Sequence, residues 1–463
     1  MPLSFETVIG LEVHVQLATA SKLFCSCPTK SAEPNSACCE ICLGMPGSKP
    51  SINKKAIDYA LMIALALDCR INKEFFFSRK TYFYPDMAKD FQITQYEVPL
   101  GEKGFLEVNG KRIGITRVHL EEDPASLVHE KGMRSSSYCL VDYNRSGIPL
   151  AEIVSDPDMR SPEEARAFLN ELVKILKYLE VFIPGENVLK ADANLSLEGG
   201  ERVEIKNITG RKAIEDALFS EEKRQRSSTE KIKRETRAWD SESCSTYSLR
   251  SKETEADYGY IFEPDLTKFV VEKEWLEELK KKMPELHSQK SNKFVKQYGL
   301  DKYTADVLSN EKALGDLFEE VAKEADVNLA ASFLTRELLA IANRAGKQVK
   351  ELKLEAKELS SLVNLLSENK VSEKVAKQAA IIYVTKGTSP IDFIEKEGLL
   401  KDLDSSSLEN AVKKVLEANK QAFKDLKKGE QKSMNFLVGA VMKETRGKAD
   451  ARKVQELIKG KIK

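Results

Sequence analysis

Five of the eight cysteines in this 463-residue chain fall between Cys25 and Cys42. Cys25-Ser26-Cys27 is followed by Cys39-Glu40-Ile41-Cys42, with Pro28, Pro34, Asn35 and Gly44 as turn formers around them. Two close thiolate pairs joined by a loop satisfy tetrahedral zinc, and a closed four-thiolate shell is structural rather than catalytic. Cys38 is a neighbour that could replace Cys39.

A second group of residues suited to chemistry is carboxylates in alternating segments. In an extended strand, successive side chains go to opposite faces. In GLEVHVQL (10–17) this puts Glu12, His14 and Gln16 opposite Leu11, Val13, Val15 and Leu17. In KADANLSL (190–197), Asp192, Asn194 and Ser196 share a face, and in RVEIKN (202–207), Arg202, Glu204 and Lys206 do. TRVHLEEDP (116–124) adds Arg117, His119 and Glu121 on one face, with Glu122 and Asp123 at the strand end, where a bulge could turn either inward. Four such strands predict a curved sheet whose concave, polar side holds a divalent metal and phosphate, and hard oxygen donors suit Mg²⁺. Gln16 alone has no matching role.

The cations that phosphate needs are expected from FSRKTYFYPDMAKDFQITQ (77–95): Arg79, Lys80 and Lys89 carry charge, and Tyr82 and Tyr84 offer stacking faces and hydroxyls. Neither a G-x-x-x-x-G-K-[ST] nor a G-x-G-x-x-G run occurs, so a P-loop or dinucleotide fold has no support. The absence of G-x-S-x-G removes the anchor for a serine hydrolase.

These segments sit in a chain of two textures. Up to about residue 285, strand-like runs alternate with Gly/Pro/Asn turns and with helices expected at 52–68, 161–181 and 213–228. Ser161, Pro162 and Glu164 give the middle helix a capping box with proline in its first turn. From Glu272 onward, apolar residues recur every three or four positions, which predicts helices. Breaks at 286–292, 386–392 and 427–433 divide that half into packets, with a hinge expected at GTSPIDFIEKEGL. The fold class expected is α+β: residues 1–287 as a domain on a mainly antiparallel, curved sheet, 288–392 as an all-α domain and 393–463 as a small helical tail. Net charge is zero, yet residues 411–463 hold 15 Lys/Arg against 6 Asp/Glu, a basic tail suited to a polyanion. No apolar run reaches the roughly 18 residues of a membrane span, and the N-terminus lacks a secretory pattern, so a cytoplasmic protein without membrane contact is expected.

Assembled, the segments closely resemble the B subunits of tRNA-dependent amidotransferases. The resemblance is carried nearly end to end by ETVIGLEVHVQL, EPNSACCEICLGMPGSKP, SRKTYFYPDMAKDFQITQYEVPL, RIGITRVHLEEDPASLVHE, LVDYNRSGIPLAEIVSDPDMRSPEEA, DANLSL, RVEIKN, ETRAWD and FLVGAVMKETRGKAD. It implies a cradle-shaped, glutamine-synthetase-like kinase domain, then the helical and tail domains. It also implies ATP- and Mg²⁺-dependent phosphorylation of the side-chain carboxylate of Glu-tRNA(Gln) or Asp-tRNA(Asn). Ammonia from a partner amidase (glutaminase), the enzyme's A subunit, would then displace the phosphate, and a small C subunit would make up the rest of the enzyme.

The same resemblance makes Glu12 and His14, with Glu122 or Glu121, the metal-binding and catalytic group, and Asp192 and Glu204 further metal or nucleotide contacts. Arg79, Lys80, Tyr82, Tyr84 and the catalytic candidate Lys89 would hold phosphates or line the ammonia exit, with Asn194, Ser196 and Lys206 as further ATP or phosphate contacts. Cys25, Cys27, Cys39 and Cys42 would be the family's optional zinc knuckle, and the basic tail would grip tRNA by shape and phosphate.

Three segments depart from the family pattern. Gly259 stands where an arginine is usual, so either Lys190 or Arg250 compensates or nucleotide affinity differs. Lys190-Ala191 replaces Arg-Cys, and Thr209-Gly210-Arg211 replaces Asn-Ser-Phe. No long insertion occurs in the second half, which favours the three-subunit type. The competing expectation is a non-catalytic tRNA-binding scaffold.

Overall fold

The computed structural model describes residues 5–130, 136–251, 258–400, 405–427, 431–445, 449 and 451–461. Asp257 and the side chain of Arg250 lie outside what is described. The chain forms two compact units, residues 1–286 and 287–463.

The first unit is α+β. Among the described residues it is built on a twelve-stranded sheet. The Thr7–Gln16 strand runs through the middle, antiparallel to Pro149–Ser155 on one side and to Leu189–Leu197 on the other. Beyond Pro149–Ser155 come Lys111–Glu122, Phe91–Thr94, Ser78–Thr81 and Gly259–Phe262. Beyond Leu189–Leu197 come Val203–Thr209, Glu235–Asp240 and Ser245–Ser251. The neighbours pair antiparallel except Val203–Thr209 with Glu235–Asp240, which is parallel.

Alternation decides what each face meets. Ile9, Leu11, Val13 and Val15 are fully buried in a core that includes Ile57, Leu61, Leu169 and Leu172 from the helices Lys54–Ala66 and Pro162–Tyr178. A one-residue slip would turn that apolar set to water, so the buried face fixes the register.

The helices start where local chemistry dictates. The Asn53 side chain accepts from the Lys55 N–H at 3.0 Å to open the first. The Ser161 hydroxyl accepts from the Glu164 N–H at 3.2 Å to open the second. The expected capping box is only half present, because the Glu164 carboxylate accepts from the Arg160 N–H at 2.9 Å, one residue before the cap. That helix ends at Tyr178 rather than 181, where Glu180 takes φ +57° and the Val181 N–H reaches back to the Leu176 carbonyl at 3.2 Å. The third helix, Arg211–Ser227, follows Gly210 at φ +99°, a conformation that favours glycine.

The second unit is helical in its described residues apart from its connections, and it has two cores. One spans Phe294 to Ile394 and is built around Phe294, Leu314, Phe318, Leu338 and Leu362. The other spans Leu408 to Ile458 and is built around Val412, Leu437, Val441 and Val454. Ile394 is fully buried in the earlier core, so the short helix Pro390–Lys396, capped by Ser389, packs as part of that core.

Candidate active site

The polar face of the sheet lines a cavity of about 790 Å³. Three adjacent strands set its floor. Pairing puts His14 opposite Glu152, and Glu152 opposite His119, so an imidazole, a carboxylate and a second imidazole form one cross-strand row. His14 Nε2 lies 3.4 Å from Glu152 and 3.6 Å from Glu121, and His119 Nε2 lies 3.3 Å from Glu152. Thr94, paired with Glu121, donates its hydroxyl to that carboxylate at 3.3 Å. One donor atom each from His14, Glu121 and Glu152 lies within 4.8 Å of the others, a separation at which a single cation can bridge them.

Charge is concentrated there on side chains of which Glu121, Glu152 and His119 are buried. Burial opposes protonation of His14, but its hydrogen bond to Glu152 and the charges of Glu152, Glu121 and Asp192 push it up to about 10. Burial would raise Glu152, yet the His119 and His14 imidazoles hold it well below the usual carboxylate range. Burial and the nearby Glu152 charge raise Glu121. The same carboxylates that favour a proton on His14 are those a cation would engage, so a metal bound there would compete with that proton.

Of the residues expected from the sequence, Glu12, His14, Lys80, Tyr82, Glu121, Asp192 and Lys206 line the cavity. Lys206 Nζ bridges Asp192 at 3.1 Å and Glu204 at 3.2 Å, so the two acids share one cation. Burial opposes the charge on Lys206, but Asp192 and Glu204 raise its pKa. Glu204 also accepts from the Thr236 hydroxyl at 3.2 Å. The Asn194 amide donates to Glu12 at 3.1 Å, and Asn194, Ser196 and Glu12 line a smaller adjoining cavity of about 270 Å³.

Other expected residues are not brought to the cavity. Pairing of Ser78–Thr81 with Phe91–Thr94 places Lys80 opposite Gln92 on the cavity face, which sends Arg79 and Ile93 to the other face. Arg79 makes a bidentate pair with buried Glu263, both contacts at 2.8 Å, and lies over the Phe91 ring at 4.4 Å. Lys89 pairs with buried Glu122, whose carboxylate also accepts from the Ile93 N–H at 2.8 Å. These pairs tie loops to the sheet. Tyr84 is exposed and is not among the lining residues. Of the two adjacent acids, Glu121 faces the cavity, because the strand stays regular to its end.

Glu152 is absent from the sequence-based candidates although it is central. It sits in PLAEIVS, a strand that reads as apolar, and the available signal was a lone acid in an otherwise apolar run. Gln16, without a role in the sequence reading, donates to Asp123 at 2.7 Å and accepts from the Val188 N–H at 3.0 Å, and all three residues line the cavity.

The cysteine quartet forms as a separate cluster. One sulfur from each of Cys25, Cys27, Cys39 and Cys42 lies within 4.8 Å of the others, with Cys39 and Cys42 sulfurs 3.9 Å apart. Tetrahedral zinc with 2.3 Å bonds requires sulfurs about 3.8 Å apart. Cys38 points instead at Asn144, 3.7 Å away. Hydrogen bonding from Cys25 is the main cause that pulls Cys42 down to about 4, while burial leads in pushing Cys27 up to about 11.

The family model described as GatB/GatE catalytic domain matches residues 7–277, and the one described as GatB domain matches residues 316–462. Among curated relatives, the aspartyl/glutamyl-tRNA(Asn/Gln) amidotransferase B subunit of Carboxydothermus hydrogenoformans is 43% identical, covering 99% of this chain and 99% of the relative. The proteins of the same name from Thermodesulfovibrio yellowstonii and Saccharolobus solfataricus are each 43% identical, covering 98% of this chain and 99% of theirs. With the cavity face and the cysteine knuckle both inside the matched catalytic region, and coverage running from one end to the other, the chain belongs to the family of aspartyl/glutamyl-tRNA(Asn/Gln) amidotransferase B subunits.

Proposed function

We propose that this chain activates the side-chain carboxylate of Glu-tRNA(Gln) or Asp-tRNA(Asn) by phosphorylation with ATP, and that ammonia then converts the activated group to the amide. The observation that carries the reading is the His14–Glu121–Glu152 cluster on the floor of a cavity also lined by Lys80, Lys190 and Lys206. A carboxylate resists ammonia because its leaving group would be oxide. Attack of a carboxylate oxygen on the γ-phosphorus of ATP forms an acyl phosphate and releases ADP. Ammonia then attacks the carbonyl carbon, the C–O bond breaks, and phosphate leaves.

Each group in the cavity has work in this sequence. The two carboxylates and one imidazole fit Mg²⁺, and a bound Mg²⁺ would neutralise charge on the transferring phosphoryl group. Lys80 and Lys206 hold positive charge where phosphate oxygens gather. Lys190 takes the part left open by Gly259, which lines the same cavity. Tyr82, Phe83 and Tyr258 form an aromatic rim that keeps water from the acyl phosphate. The twelve-stranded sheet with its polar face inward supports the cradle-shaped, glutamine-synthetase-like description.

The ammonia source is proposed to be a glutaminase, the A subunit of the enzyme, with the small C subunit the third partner. The separate core from Leu408 to Ile458 supports a tail domain, and its basic surface, in a cytoplasmic setting, would meet tRNA phosphates. Among the described residues no helix is long and apolar enough to cross a membrane.

The test is to trap the activated group. With the assembled enzyme, ATP, Mg²⁺ and Glu-tRNA(Gln) but no glutamine, added hydroxylamine is expected to yield the tRNA-bound glutamyl hydroxamate in proportion to ADP. ATP cleavage without hydroxamate would contradict the reading.

A further inference from the structure

Lys22 has no accessible surface, which is rare for a lysine without a partner of opposite charge. Its ammonium lies 3.6 Å from the Cys42 sulfur and 3.2 Å from the Tyr143 carbonyl. Among the described residues no carboxylate pairs with it. A buried ammonium with only a neutral carbonyl beside it would carry a large desolvation cost. The anionic partner within reach is the cysteine cluster.

The charge count gives this contact its meaning. A zinc ion with four thiolates carries net charge −2, and Cys25 and Cys42 are buried. A cation against one sulfur offsets half of that charge in a region of low dielectric, where it acts most strongly. Thiolate sulfurs in such sites also gain from N–H donors, and the Cys39 N–H already donates to Cys42 Sγ at 3.1 Å.

We propose that Lys22 is the buried counter-ion of the zinc tetrathiolate and clamps it to the neighbouring loop. Three contacts make the clamp. Lys22 holds the Tyr143 carbonyl, the Ser146 hydroxyl donates to the Cys42 carbonyl at 3.2 Å, and the Leu23 N–H donates to the Gly147 carbonyl at 2.8 Å. Gly147, beside the Lys22 stem, takes φ +85°, a backbone conformation that favours glycine. The inference rests on reading the four cysteines as a zinc site, and its test separates the two.

Zinc affinity of the full chain would be measured by competition with a chromophoric chelator for the wild type, Lys22→Gln and Lys22→Met. Exposed Lys30, paired with Glu186, supplies the control Lys30→Gln. Loss of an outer-shell partner should weaken zinc binding by about 10–100-fold in both Lys22 variants and leave the control unchanged. With Co²⁺ in place of zinc, the sulfur-to-metal charge-transfer bands of Lys22→Gln should move to lower energy, since the ammonium no longer stabilises the thiolate lone pair. Unfolding of the chelated and zinc-loaded forms guards against a merely structural effect: Lys22→Met should lose stability only when zinc is bound. Equal affinity in wild type and variants, or equal destabilisation with and without zinc, overturns the inference. A wild-type chain that takes up no zinc overturns the zinc reading and the inference with it.

Discussion

Replacing Glu152 by glutamine is expected to lower ATP-dependent amide formation by about a thousandfold, the cost of removing one preorganised charge from a reacting centre. Glutamine keeps the shape, but the carboxylate that faces both His14 and His119 is gone. Glutamine hydrolysis by the proposed glutaminase partner, measured in the same complex, should persist. Glu121→Gln is expected to act on the same step, since Glu121 is the other carboxylate beside His14. Glu122→Gln should behave differently. Its carboxylate is buried against Lys89, so the variant should lose about 3–5 kcal/mol of stability, as removal of one partner of a buried pair does, while its Mg²⁺ dependence stays that of wild type. Titrating Mg²⁺ against rate for the three variants checks the assignment. Full activity in Glu152→Gln would contradict it.

Replacing Cys42 by serine is expected to have the second large effect, on the knuckle rather than on chemistry. The Cys42 sulfur lies 3.9 Å from the Cys39 sulfur, accepts from the Cys39 N–H at 3.1 Å and faces Lys22. A structural zinc supplies about 10–16 kcal/mol of apparent binding energy at neutral pH in small zinc-binding peptides, and that energy folds the loop it closes. Without it, amides in residues 22–48 should exchange with solvent about a thousandfold faster, while those of the Thr7–Gln16 strand keep their protection. The change should also reach the cavity, because the Gly147 N–H donates to the Asp123 carbonyl at 2.9 Å, and Asp123 is a lining residue. Hydrogen exchange with and without a chelator measures this. Unchanged exchange in Cys42→Ser would contradict a structural metal.

What the sequence disclosed follows from how local each signal is. Period-two alternation in GLEVHVQL and KADANLSL placed the strands and their faces, because the sheet buries one face completely and tolerates no slip. The cysteine spacing named the quartet, since ligand geometry leaves few ways to close four thiolates on one ion. The Arg79 and Lys89 roles were less legible. Their charge suits phosphate, but the pairing of Ser78–Thr81 with Phe91–Thr94 turns Arg79 away from the cavity toward Glu263, and only the folded chain brings Glu122 to Lys89. The choice between Glu121 and Glu122 depended likewise on whether the strand bulged. Glu152 was hidden by its neighbours: a strand buried on both faces reads as apolar, and one acid within it looks like an exception until its partners on adjacent strands are known. The Lys206 bridge between Asp192 and Glu204 required the register of two strands, which no single segment contains.

Transfer of the phosphoryl group to the side-chain carboxylate itself, in the cavity above His14, Glu121 and Glu152, is the step on which the proposed function depends. It is tested most directly with Glu-tRNA(Gln) carrying ¹⁸O in both oxygens of the side-chain carboxylate. Conversion by the complete enzyme with unlabelled ATP and glutamine should release inorganic phosphate bearing one ¹⁸O per amide formed, because the C–O bond breaks with that oxygen on phosphorus. Phosphate free of label, or label appearing in AMP, would contradict it.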